Sequence, residues 1–143
     1  MALSEQRVAE FLAALGARTP APASGAATAL TAALAAALVE LAARFAGDES
    51  SVVEATALRS RLTELADEDA AAYAAFMASR DDETRARIVA VPEEIAACAD
   101  RAAELAGHVH GQLRSSVAGD AEAAGELARA AARVARRLAE LNG

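Results

Sequence analysis

Residues 24–46, which read SGAATALTAALAAALVELAARFA, decide the fold class of this chain. Ala is the strongest helix former, and Gly47 comes directly after the stretch, where a glycine commonly ends a helix. We therefore predict a helix from Ser24 or Gly25 to about Ala46. Because its side chains are apolar on nearly every side, it should lie at the centre of a helical bundle.

A membrane-spanning helix is the alternative for this region, because residues 19–39 carry no charge. Such a helix needs roughly 20 consecutive apolar residues. Pro20 and Pro22 interrupt the start of the uncharged stretch, and Glu40 and Arg44 follow it at once. We predict that the segment is buried inside the protein and does not enter a membrane.

Four further helices follow from capping residues and from apolar side chains spaced three and four residues apart. Their predicted bounds are about Ser4 to Gly16, Asp48 or Ser50 to Ser79, Pro92 to Leu113, and Asp120 to Leu141. Residues 80–87 are dense in charge, and we expect an exposed, mobile link there. No stretch alternates with period two, so no strand is predicted. The sequence thus predicts a single all-α domain over residues 1–143, a five-helix antiparallel bundle with one long helix and an Ala-rich buried helix.

Composition excludes several classes of partner. The net charge is −7, so no basic field would attract nucleic acid. The one cysteine, Cys98, has no second thiol for a disulfide or a metal site, and His108 and His110 point in different directions on a helix. We predict a cytoplasmic protein without a metal, a signal peptide or a nucleic-acid partner.

A homodimer is predicted from the amount of alanine-rich surface. Five helices of uneven length cannot easily hide that surface from water, and two-fold dimers are the commonest assemblies of soluble proteins. The last helix or the long third helix could supply the contact.

Asp69 is the most informative single residue. A rotation of about 100° per residue places it within the apolar stripe of the long helix. The members of that stripe are Leu58, Leu62, Leu65, Tyr73 and Phe76. Burying an unpaired carboxylate is costly, so Asp69 either caps or bridges to a neighbouring helix or acts as a general acid or base. Glu68 lies at the edge of the same face.

A loop of small residues, Pro20-Ala21-Pro22-Ala23-Ser24-Gly25-Ala26, leads into the buried helix. It is either a plain cap before a close-packed helix or a binding loop. In the second case the first backbone N–H groups of the helix would be open to an anionic ligand group, because the helix dipole is positive at that end.

Several motifs together resemble one protein family. The loop at 20–26 is similar to Pro-x-Pro-Gly-Gly-Gly-Ser, and DEDAAAY at 67–73 is similar to Asp-Glu-Asp-Ala-x-Ala-Phe. Val91-Pro92 reopens a helix, and Gly119-Asp120 begins the last helix, which ends near Asn142. This order of motifs resembles the cyclodeaminase/cyclohydrolase family, which comprises the C-terminal domain of formiminotransferase-cyclodeaminase and stand-alone methenyltetrahydrofolate cyclohydrolases.

The resemblance implies an all-helical domain, commonly dimeric, that binds a reduced folate in a groove. Its reaction would be hydrolase or lyase chemistry in one-carbon metabolism. Either the methenyl bridge is opened by water, or formimino-folate closes its ring and loses ammonia. Asp69 would be the catalytic carboxyl, with Glu68 and Asp120 in support. The residues implied to contact the folate are Pro22, Ser24, Gly25 and Asn142. A tetrahydrofolate derivative would be the substrate, and no covalently bound cofactor is implied.

An alternative function follows from departures from the family pattern. Ala23 and Ser24 replace two of the three glycines of the family's loop motif, and Ala26 replaces its serine. Leu138 stands where the last helix of the family has an asparagine. These changes favour a family member that has lost catalysis and persists as a helical binding or assembly module. The intact acidic motif at 67–69 favours the enzyme.

Overall fold

The computed structural model describes residues 1–143, and it contains helices and no strand. A single 3₁₀ turn covers Leu3–Glu5. The helices are α1 (Val8–Gly16), α2 (Ser24–Ala46), α3 (Glu49–Ser79), α4 (Asp82–His110) and α5 (Val117–Asn142). Two-residue connections on either side of α3 make α2, α3 and α4 successive antiparallel neighbours. The predicted all-α class with five helices is confirmed.

Helix α2 occupies the centre of the bundle, in contact with α3, α4 and α5. Most of its buried residues are alanines, which let the neighbouring helix axes approach closely. Its outer side is not covered, and there Leu34 is 64% exposed and Phe45 68% exposed. By length and composition α2 is the one helix that could cross a membrane, and a buried core helix meets the same criteria.

The break between α2 and α3 is formed as predicted. Gly47 ends α2 with φ of 69°, a left-handed conformation that favours glycine. Asp48 then caps α3, because its side chain accepts a hydrogen bond from the Ser51 N–H at 3.1 Å. These local signals define both helix ends.

The predicted start of α4 at Pro92 is wrong. The helix begins at Asp82, because the Asp81 side chain accepts the Thr84 N–H at 2.8 Å and caps it. The predicted mobile link at 80–87 is therefore mostly helical. Pro92 lies inside α4, where a proline normally leaves a backbone carbonyl without its partner.

The ends of the bundle differ from prediction in two further places. The predicted first helix from Ser4 is divided into the 3₁₀ turn and α1, because the Leu3 N–H donates to Asp67 of α3 at 2.9 Å and holds the turn against that helix. None of the residues of α1 is buried. Helix α5 begins at Val117, before the predicted Asp120.

Candidate functional site

A pocket of about 250 Å³ lies at the start of α2. One side is the loop that enters α2, including Ser24 and Gly25, and the others come from α3, α4 and α5. The pocket brings together Asp69 and Asn142 with that loop, although these residues are far apart in the sequence. Four of the residues predicted to form the site thus share one cavity.

Gly25 contacts the carboxyl group of Asp69. A β-carbon added to Gly25 would overlap the Asp69 side chain, so only a glycine permits this approach. The resemblance implied that Gly25 would approach a folate, whereas in the structure its α-carbon faces the catalytic candidate. The sequence gives no signal for this contact, because it joins two helices.

The Asp69 carboxyl has no hydrogen-bond or ion-pair partner in the protein. Burial alone therefore raises its pKa, with no partner to lower it. The interpretation of Asp69 as a cap or bridge to another helix finds no support in this geometry. A carboxyl whose pKa is raised keeps its proton to higher pH and can both donate and accept it, which is what a general acid or base requires.

The start of α2 leaves backbone donors free beside this carboxyl. Ala23, at the N-cap position, gives no side-chain hydrogen bond, and the first N–H bonded to the backbone is that of Ala27, to Ala23 at 3.1 Å. The N–H groups of Ser24, Gly25 and Ala26 have no acceptor in the chain. Since the positive end of a helix favours negative or strongly polarised groups, these donors can bind a ligand oxygen.

Tyr73 and Asn142 supply further polar groups to the pocket. Tyr73 is 38% exposed and lies at the pocket, and its hydroxyl has no partner in the protein. The Asn142 amide nitrogen donates to the backbone carbonyl of Ile88 at 2.8 Å. Apolar surface from Ile88, Pro92 and Leu138 completes the cavity.

The remaining predicted site residues lie elsewhere. Glu68 forms an ion pair with Arg61 at 2.7 Å, and Arg61 also pairs with Glu94 of α4. Asp120 is in the first turn of α5, roughly 33 Å along that helix from Asn142 at 1.5 Å per residue. Neither carboxyl lines the pocket that contains Asp69, so their supporting role finds no basis in the geometry. Pro22 belongs to the loop and does not line the pocket.

A larger groove of about 450 Å³ runs between α1 and α2. Its lining is mostly apolar, and its one arginine, Arg59, is already bound to Glu40 at 2.9 Å. The groove contains no unpaired carboxyl and no histidine. The smaller pocket beside Asp69 is therefore the better candidate for chemistry.

Comparison with known proteins agrees with this fold. The sequence model of the formiminotransferase-cyclodeaminase family matches residues 7–142. The crystal structure of formiminotetrahydrofolate cyclodeaminase from Thermotoga maritima is similar, with 21% identity and a TM-score of 0.92 over 98% of this chain and 79% of that chain. No curated protein matches the chain. Because the family match spans nearly the whole sequence, this chain belongs to the formiminotransferase-cyclodeaminase family.

Proposed function

We propose that the chain binds a reduced folate in the pocket beside Gly25 and acts on its one-carbon bridge through Asp69. Family membership indicates a cyclodeaminase-like function in folate one-carbon chemistry. The observation that carries the proposal is an unpartnered carboxyl with a raised pKa, in contact with Gly25 at an uncapped helix start.

Two related reactions suit this carboxyl. In cyclohydrolase chemistry, water adds to the methenyl carbon, one carbon–nitrogen bond breaks, and the freed ring nitrogen takes a proton. In cyclodeaminase chemistry, a folate nitrogen attacks the formimino carbon and ammonia leaves after protonation. Each reaction needs a group that moves a proton at the one-carbon centre. Asp69 fills that role in both, without a metal or a covalently bound cofactor.

The pocket matches part of the proposed ligand. Its volume of about 250 Å³ suits the ring end that carries the one-carbon group, and the rest of a folate would extend into solvent. The apolar surface of Pro92 and Leu138 can pack against a flat ring. Free N–H groups at Ser24 and Gly25 can donate to a ring carbonyl. Because Ser24 offers the only polar side chain of the loop in the pocket, we expect weak binding.

The decisive experiment is an assay of the purified wild-type chain with methenyl-tetrahydrofolate and formimino-tetrahydrofolate. We expect methenyl absorbance to fall with the first substrate or to rise with the second, in either case faster than the uncatalysed rate. Calorimetry should show binding. Binding without turnover would support the alternative, a binding or assembly module derived from an enzyme. A chain that neither binds nor converts either folate would refute the enzyme proposal.

A homodimer is part of the proposal, and we propose the uncovered side of α1 and α2 as its contact. On α5, Leu127 is 39% exposed, Val134 44% and Leu141 61%, and on α3 Val53 is 69% exposed. The uncovered side of α1 and α2 carries three strongly exposed apolar side chains, Leu34 at 64%, Phe45 at 68% and Val8 at 76%. Apolar patches of this kind mark interaction surfaces. Light scattering should give twice the chain mass, and Phe45→Glu should give the monomer mass. A wild-type monomer at micromolar concentration would contradict the proposal.

A further inference from the structure

We propose that Asn142 is a positioning residue, whose side-chain amide replaces the N–H group that Pro92 lacks and thereby holds α5 against α4 at the pocket. The inference concerns the protein's own contacts. It rests on the proposed function only where it states which ligand the pocket binds.

Pro92 creates a need for a hydrogen-bond donor inside α4. It is buried, and it has no N–H to pair with the carbonyl of Ile88, four residues earlier. Ile88 is only 7% exposed, so water does not easily replace the missing bond. A buried carbonyl without a donor destabilises a protein. The Asn142 amide supplies that donor at 2.8 Å.

The bond between Asn142 and Ile88 also affects the pocket, because of where Asn142 lies in the fold. Asn142 is the last residue of α5, and helix ends fray unless a contact holds them. Its bond to Ile88 connects residues 54 apart in the sequence and fixes the final turns of α5 on α4. Leu138, one turn earlier, contributes to the same pocket. The bond therefore sets where the α5 side of the pocket lies.

The same bond also orients the polar atoms that Asn142 can offer a ligand. Its amide nitrogen donates one of its two hydrogens to Ile88, and no group of the protein donates to its oxygen. The oxygen is thus a free acceptor. It fits a ligand whose ring carries an N–H group, as a reduced pterin ring does.

A thermal double-mutant cycle tests the contact without any ligand. Asn142→Asp keeps the shape and removes the donor, and we expect it to lower the Tm by about 3–5 °C. Pro92→Ala restores a backbone N–H for Ile88, so in that background Asn142→Asp should change the Tm by less than about 1 °C. The matched control is Glu140→Gln, an exposed residue paired only with Arg137, which should leave the Tm unchanged. Equal losses in both backgrounds would overturn the inference.

A binding measurement then tests the effect on the pocket. With methenyl-tetrahydrofolate as the probe, folded Asn142→Asp should bind about tenfold more weakly, because an acceptor and part of the wall are displaced. The kcat should change less than the KM. Unchanged affinity would overturn the positioning role in ligand binding. If the wild type binds no folate, the proposed function fails, and the thermal cycle still decides the contact between Asn142 and Ile88.

Discussion

Two aspartates of the α2–α3 region have opposite environments. Asp48, at the start of α3, accepts the Ser51 hydroxyl at 2.7 Å, the Ser51 N–H at 3.1 Å and the Gln112 amide at 3.1 Å, and these bonds hold its pKa well below the usual range. Asp69, in the middle of the same helix, has no donor, and burial raises its pKa. The number of donors, more than burial, separates a stabilising carboxyl from a reactive one.

Replacing Asp69 by Asn should have the largest effect on activity. The amide has nearly the same shape and cannot transfer a proton, so we expect folate conversion to fall by about 10²–10⁴-fold with the fold intact. Glu68→Gln is the matched control, because Glu68 is the next acidic residue and is paired with Arg61 outside the pocket. It should retain nearly full activity. Equal losses in the two variants would show that Asp69 has no special role.

Adding a methyl group at Gly25 should give the second largest effect. The β-carbon of Gly25→Ala would overlap the Asp69 carboxyl and force it to turn away. Displacement of a catalytic group by about 1 Å can reduce a rate on the order of 10²-fold. Gly119→Ala is the matched control, because a β-carbon there meets no other atom within 4 Å. Circular dichroism should show that both variants are folded. A fully active Gly25→Ala variant would show that catalysis does not depend on the contact between Gly25 and Asp69.

Removing the Asp48 side chain should act on stability alone. Asp48→Ala deletes the cap of α3 and leaves the buried Ser51 hydroxyl without its acceptor, so we expect a lower urea midpoint of unfolding at pH 7. Because the pKa of Asp48 is lowered in the folded state, its contribution is present at neutral pH and is lost as the pH falls below the ordinary aspartate value. Urea unfolding at pH 7 and at low pH measures both effects. An unchanged midpoint at pH 7 would contradict them.

The sequence predicts the features that neighbouring residues determine, and it misses those that depend on residues far apart in the chain. Helix α2 and the α2–α3 break depend on local composition, on Gly47 and on Asp48, so their prediction was accurate. The prediction for the start of α4 was not accurate, because the local sequence does not distinguish a proline at a helix start from a proline inside a helix. Only the Asn142 amide, which bonds to Ile88 across 54 residues, shows how α4 continues through Pro92.

The candidate site follows the same rule. Helical periodicity places Asp69 on an inward face, but it does not reveal that Glu68 is paired with Arg61 or that Asp67 accepts the Leu3 N–H across 64 residues. Three consecutive acidic residues thus have three different environments. Which of them remains unpaired depends on tertiary contacts, and the contact between Gly25 and Asp69 has no local signature at all.

The smallest expected effect is on the stability of Asp69→Asn. The folded state raises the pKa of Asp69 above its ordinary value of 3.8, so at neutral pH the ionised carboxyl destabilises the wild type relative to a neutral amide. The variant should therefore melt about 1–3 °C higher at pH 7. As the pH falls towards 3.8, the wild-type carboxyl takes up its proton, and below that value the difference should vanish. Both proteins share Asp48, so its opposite pH dependence cancels when the two melting curves are compared. If Asp69→Asn instead melts lower than the wild type at pH 7, the carboxyl has a structural partner and the contrast with Asp48 disappears.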